Sequence, residues 1–143
     1  MWLVVVGGFV FLYFFGLNFI PLLGPDEPRY SQIAREMFER GDWVTPTLGG
    51  YNWFEKPALL YWLQHLAYKI FGVSEFSARF FSAVFGLGVV FAVWRLCLRV
   101  ENLAQKKGGY SENSKGLATF TAIALATSVG LIAFSRGASF DII

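Results

Sequence analysis

The chain has 143 residues, 55% of them hydrophobic, 19% aromatic and only 15% charged, with a formal net charge of +2. An average soluble domain carries roughly 25% charged residues, so this composition points to a protein whose solvent is mostly lipid, and the weak, dispersed charge argues against nucleic acid as a partner. A single cysteine, Cys97, excludes an intrachain disulfide and a cysteine-rich metal site.

The first element is an uncharged run from Trp2 to Leu23. About 20 apolar residues suffice to cross a bilayer as a helix, so residues 2–23 read as a membrane span. The run shows no basic n-region, short apolar core or small-x-small cleavage site, so it is expected to stay in the mature chain. A long loop, residues 24–76, follows. Within it Pro28 suits a first helical position, Tyr30, Ile33, Ala34, Met37 and Phe38 repeat at helical spacing, and Gly41 supplies a stop, which predicts an amphipathic surface helix over 28–40. Pro57 and Gly72 bracket a second helix, 58–71. It is too short for an ordinary span and is read as interfacial, with a fourth span as the alternative.

Two further spans are expected. Residues 77–99 can cross if Arg79 and Arg95 snorkel their charged heads to the interfaces, and 116–135 is a cleaner uncharged run. The connecting loop carries Arg99, Lys106, Lys107 and Lys115, which makes it the better cytoplasmic candidate under the positive-inside rule. The fold class expected is therefore an all-α membrane protein with three transmembrane helices and two interfacial helices in the first non-cytoplasmic loop. With three crossings, Asp26, Glu55 and Asp141 share one side of the membrane whichever way the chain is oriented.

The residues able to carry chemistry sit in that loop and after the third span. "GPDEPRY" sets Asp26, Glu27, Arg29 and Tyr30 between prolines and an apolar helix face. Either acid could simply cap the helix opening at Pro28, and spacing alone does not say which carboxylate faces a cavity. "WFEKP" adds Glu55 and Lys56 within an aromatic cluster, a pair that could equally be solvated interfacial anchors. In "SRGASFDII", Asp141 lies near Arg136 and could cap a following apolar segment.

Taken together, "PDEPRYSQIAREMFERGDWVTPTLGGYNWFEKPALLYW" and the later "SRGASFDII" resemble the N-terminal region of the GT-C membrane glycosyltransferases of the protein O-mannosyltransferase type, on the bacterial branch that includes the lipid A aminoarabinose transferases. The resemblance implies a multi-pass enzyme of a bacterial inner membrane. Such an enzyme takes a sugar from a polyprenyl-phosphate donor and transfers it to a lipid, glycan or protein acceptor on the periplasmic or extracellular face. It implies that Asp26 and Asp141 are catalytic, and that Glu27, Arg29, Tyr30 and Lys56 bind substrate, Lys56 meeting the carrier phosphate. It also implies a divalent metal at Glu55, whose histidine partner would lie beyond Ile143; His65 does not match that ligand and is read as a helix-surface residue. Trp53 departs from the pattern, standing where a tyrosine is expected.

These residue types suit the reaction. Displacing a phosphate from an anomeric carbon builds charge that a lysine or arginine can stabilise in a low-dielectric pocket, and a hydroxyl acceptor needs a carboxylate base. Three spans do not enclose a lipid donor, so a longer protein is expected, of which these residues form the front. Two other readings stay open: a non-catalytic membrane subunit that binds a partner through its surface helices, and part of a transporter. Against the transporter, the acids lie outside the expected spans, whereas ion-carrying acids lie within them.

Overall fold

The computed structural model describes residues 2–106 and 116–143. The middle of the loop expected on the cytoplasmic side, 107–115 with Lys107 and Lys115, lies outside the described residues. The chain runs α1 (Trp2–Phe14), α2 (Asp26–Arg40), a two-stranded hairpin of β1 (Thr47–Leu48) and β2 (Tyr51–Asn52), α3 (Leu59–Phe71), α4 (Glu75–Lys106), α5 (Leu117–Ala126), α6 (Val129–Ser135) and a 3₁₀ turn, Phe140–Ile142.

Among the described residues one helix, α4, is long and apolar enough to cross a membrane by itself. It has 32 residues, about 48 Å at 1.5 Å per residue, and extends the expected 77–99 in both directions. Ser74 starts it, its hydroxyl accepting the Ser77 amide at 3.2 Å. At the other end nothing in "RVENLAQK" breaks the helix before Lys106.

The other two expected spans are not single helices. α1 stops after 13 residues, about 20 Å, and residues 15–20 form turns and 21–23 an irregular segment rather than the rest of a 2–23 span. Gly16 adopts a left-handed φ of 76°, and two arginines take up the carbonyls that the unwinding leaves free. Arg136 donates to Leu12 O at 2.6 Å and Phe15 O at 2.8 Å. Arg79 donates to Leu17 O and Ile20 O, each at 2.7 Å, and to Pro21 O at 2.9 Å. Irregular backbone at an apolar site persists only where such groups are satisfied. The expected 116–135 span is likewise two helices bent by 57°. Thr127 bonds back to Ile123 O at 2.8 Å, Ser128 turns extended at φ −66°, ψ 130°, and the Tyr13 hydroxyl reaches Ala126 O at 3.1 Å. Back-bonding by a threonine hydroxyl is a known way to bend a helix.

Arg79 also corrects the snorkelling expectation. Its side chain is 5% exposed and pairs at 2.8 Å with Glu27, itself 12% exposed. Glu27 in turn accepts the amides of Leu23 at 2.7 Å and Ala138 at 2.5 Å. One ion pair therefore joins the end of α1, the start of α2, the first turns of α4 and the segment after α6. Burial alone would raise the Glu27 pKa, but the hydrogen bonds from Arg79, Leu23 and Ala138 outweigh it and hold it below the ordinary value.

The two helices expected in the loop form close to the expected positions. α2 opens at Asp26, two residues earlier than Pro28, and α3 at Leu59. α2 turns Tyr30, Ile33, Ala34 and Met37 inward against Leu60, Tyr61 and Tyr68 of α3. Gly41 ends α2 in the left-handed conformation, φ 65°. The β-hairpin was not expected from the sequence; its signal is Gly49-Gly50, a two-residue loop with both φ positive, at 61° and 83°, pairing Leu48 with Tyr51.

Where α4 meets α6, Gly86 allows close approach: a Cβ there would lie 2.0 Å from Ser135 Oγ and 3.0 Å from a Tyr13 ring carbon. Gly86→Val is therefore expected to lower the unfolding midpoint in detergent, by the equivalent of about 1–3 kcal/mol for overpacking, with Ser135→Gly in the same chain recovering part of the loss. Ser135→Gly that recovers nothing would mean the two helices do not meet there.

Removing one partner of a buried, hydrogen-bonded ion pair typically costs about 3–5 kcal/mol. Arg79→Ala and Glu27→Ala should each destabilise the fold on that scale, and the double variant should cost clearly less than their sum in chemical denaturation. Because the folded Glu27 carboxyl lies below its ordinary value of 4.5, its contribution is complete above about pH 4.5. It is lost as pH falls through the lower folded value. A wild-type acid transition that Glu27→Gln leaves unchanged would count against the pair.

Candidate active site

The first turns of α2 part its two acids. Glu27 faces inward to Arg79, whereas Asp26, 62% exposed, faces outward. Neither acts as a helix cap: the cap position is Pro25, and no side chain bonds there. Both Glu27 oxygens are engaged by Arg79 and two backbone amides.

Arg29, one turn along α2, gathers the outward side. Its Nη1 lies 3.5 Å from Asp26 Oδ1 and 3.9 Å from Glu55 Oε2, and its guanidinium sits over the Trp53 ring at 6.0 Å. Two stretches that are about 25 residues apart in sequence, "PDEPR" and "WFEK", thus form one charged cluster. Lys56, the next residue, is exposed and has no hydrogen bond or ion pair among the described residues.

Beneath this cluster lies an aromatic floor. Tyr30 is 6% exposed and meets Phe140 edge-on at 4.7 Å, with Tyr61 packed on the same Phe140 at 5.5 Å. The Tyr30 ring is thus part of the core. Tyr61, which the sequence reading passed over as part of an apolar helix, is fully buried. Among the described residues, its hydroxyl and the Trp53 indole N–H have no hydrogen-bond partner. Burial, together with the nearby Tyr30 and Glu55, pushes the Tyr61 pKa up to about 12, with Arg29 opposing. A helical pattern alone does not separate such a tyrosine from ordinary core.

Asp141 lies in the segment that follows α6. Ser139 caps the short 3₁₀ turn, accepting the Asp141 amide at 3.2 Å and donating to Asp141 Oδ2 at 2.5 Å. Asp141 borders a cleft also lined by Glu27, Arg79, Arg136 and Gly137. Arg136 is spent on the α1 carbonyls, so its proximity in sequence does not become an ion pair with Asp141. Phe140 on Tyr30 and Ala138 on Glu27 nonetheless bring this segment to the same end of α4 as Asp26 and Glu55.

The residues present do not form a metal centre of their own. Among the described residues no group of three His, Cys, Asp or Glu side chains is gathered, and the charged neighbour of Glu55 is an arginine. His65, the only histidine in the chain, is 3% exposed rather than on the helix surface, with Trp43 tilted over it at 3.8 Å and Phe38 meeting it edge-on at 5.4 Å. Burial, and then the nearby Lys69, lower its pKa.

Comparison with known proteins bears on this geometry. The undecaprenyl phosphate-alpha-4-amino-4-deoxy-L-arabinose arabinosyl transferase of Shewanella sediminis is 39% identical over 97 residues, 68% of this chain and 18% of that protein. The protein of the same name from Yersinia enterocolitica is 43% identical over 96 residues, 66% of this chain and 17% of that one. The crystal structure of ArnT from Cupriavidus metallidurans bound to undecaprenyl phosphate matches with a TM-score of 0.80 at 32% identity, over 99% of this chain and 24% of that chain. The apo form of the same ArnT matches at 0.76 and 30%. The chain thus spans less than a fifth of the curated relatives quoted and about a quarter of the solved one. The profile of the dolichyl-phosphate-mannose-protein mannosyltransferases matches residues 2–143, and with that match the chain belongs to this family of GT-C membrane glycosyltransferases.

Proposed function

We propose that this chain provides the first acidic loop of a membrane enzyme that transfers a sugar of the aminoarabinose type from undecaprenyl phosphate to a lipid A-like acceptor. The observation that carries this reading is the convergence of Asp26, Arg29 and Glu55 beside the unpaired Lys56, in a chain 32% identical to an ArnT that binds undecaprenyl phosphate. The enzyme's full set of spans would enclose the lipid donor, with α1 and the bent α5–α6 pair serving as crossings beside α4. Its active face would be non-cytoplasmic.

In this reading Lys56, next in sequence to Glu55, meets the carrier phosphate. The acceptor oxygen attacks the anomeric carbon, the carbon–oxygen bond to the carrier breaks, and the electron pair leaves with the phosphate. Lys56 and Arg29 stabilise the developing charge. With a hydroxyl acceptor the proton passes to Asp26; a phosphate acceptor is already a nucleophile, and Asp26 then orients it. Asp141, at the same end of α4, serves the acceptor side. Glu27 supports the site through Arg79, and Tyr30 through its packing. A metal held by Glu55 would supply Lewis-acid stabilisation of phosphate oxygens, with its other ligands outside this chain.

These roles separate in a chimera in which the 143 residues replace the matching part of the Cupriavidus metallidurans ArnT. Asp26→Asn should abolish sugar transfer while leaving undecaprenyl phosphate binding near wild type. Lys56→Ala should weaken carrier binding about tenfold to a hundredfold, the loss of one charge-assisted contact, and Lys56→Arg should restore it in part. If Lys56→Ala binds carrier normally and Asp26→Asn does not, the two roles are reversed. For orientation, a reporter active only outside the cytoplasm should give signal when fused after Gly49 and none after Gly109; the opposite pattern would invert the topology.

A further inference from the structure

Glu36 lies near the middle of α2, off the face that buries Tyr30, Ile33, Ala34 and Met37. Its carboxylate nonetheless has four donors. Oε1 accepts the Gly49 amide at 2.8 Å and Gln32 Nε2 at 3.1 Å. Oε2 accepts the Thr47 hydroxyl at 2.6 Å and the Gly50 amide at 3.3 Å. Gly49 and Gly50 are the two loop residues of the hairpin, between the paired Leu48 and Tyr51, so their amides point out of the ladder and need an acceptor from elsewhere. Burial would raise the Glu36 pKa, but these hydrogen bonds outweigh it and bring it down to about 2, so the anchor is ionised throughout the neutral range.

The hairpin leads straight into Trp53, Glu55 and Lys56, closed at its base by the Trp53 amide on Pro46 O at 2.8 Å. α2 carries Asp26 and Arg29 at its start. A rigid helix thus bears one half of the charged cluster directly, and through Glu36, about 10 Å further along its axis from Arg29, it holds the loop that bears the other half. Besides that anchor, the hairpin is held by Arg40, which donates to Thr45 O at 2.6 Å and to the Thr47 hydroxyl, and by Leu48 and Trp53 packed on the core; the contact it positions, between Arg29 and Glu55, is 3.9 Å.

We propose that Glu36 is a positioning residue for sugar transfer: its carboxylate fixes the hairpin on α2 and thereby sets where Glu55 and Lys56 stand relative to Asp26 and Arg29. The inference rests on the assignment of Lys56 to the carrier phosphate. It concerns how that lysine is placed, and Glu36 itself touches no reacting group. Displacements of about 1 Å at such distances are known to cost on the order of a hundredfold in rate.

Two measurements test it. In the 143-residue chain in detergent, Glu36→Ala should speed amide hydrogen exchange at Gly49 and Gly50, with Thr47→Val giving a smaller increase and helix α2 staying protected. Glu36→Gln keeps one acceptor oxygen but turns a donor toward the hairpin, and should fall between wild type and Glu36→Ala. In the ArnT chimera, Glu36→Ala should weaken undecaprenyl phosphate binding about tenfold, yet by less than about twofold when Lys56→Ala is already present, because a residue acting through Lys56 has nothing left to position. Equal weakening in both backgrounds, or unchanged exchange at Gly49 and Gly50, would overturn the proposal. A wild-type chimera that binds no carrier would instead overturn the transferase reading and the role in transfer. Faster exchange in Glu36→Ala would then still identify Glu36 as the anchor of the hairpin.

Discussion

The guanidinium of Arg79 is the contact on which the most elements depend. It neutralises Glu27 and caps three carbonyls of the segment that leaves α1, and Glu27 passes the connection on to the amide of Ala138. A charge so deeply buried is tolerable only because every donor finds an acceptor. That completeness lets the chain turn sharply after α1 inside an apolar region, and α2 begins where the turn ends. The acidic motif is thereby placed at one end of the long helix, with the segment containing Asp141 beside it.

From that fixed start, α2 acts as the ruler of the site. Its inner face is packed on α3, its first turn presents Asp26 and Arg29, and its middle holds the hairpin through Glu36 and Arg40. The cluster so formed is two carboxylates around an arginine, with a free lysine adjacent. The two adjacent acids of "PDEP" have opposite fates because consecutive helical positions point about 100° apart: one faces the core and becomes structural, the other faces outward and stays available for chemistry.

The motif residues were legible in sequence because charges between prolines and aromatics are rare in so apolar a chain. The surface helices were legible because apolar spacing, prolines and stop glycines agree along them. The hairpin was in principle readable from Gly49-Gly50, but its strands are only two residues long and leave no alternating pattern. The breaks in the first and third apolar runs were less accessible. Length and lack of charge give the same signal for a straight span and for one interrupted by a turn, and what stabilises the interruptions comes from arginines more than 50 residues away along the chain.

The sequence by itself determined that the chain belongs with lipid, which residues carry charge and where the surface helices lie, since these follow from composition and from patterns within one element. Only the tertiary structure decided that Arg79 is buried rather than snorkelling, that Glu27 rather than Asp26 is its partner, and that Glu55 comes to Arg29. Those outcomes depend on which polar groups meet once helices have packed. In a low-dielectric interior the cost of leaving any of them unpaired selects one arrangement, and no local pattern along the chain encodes that choice.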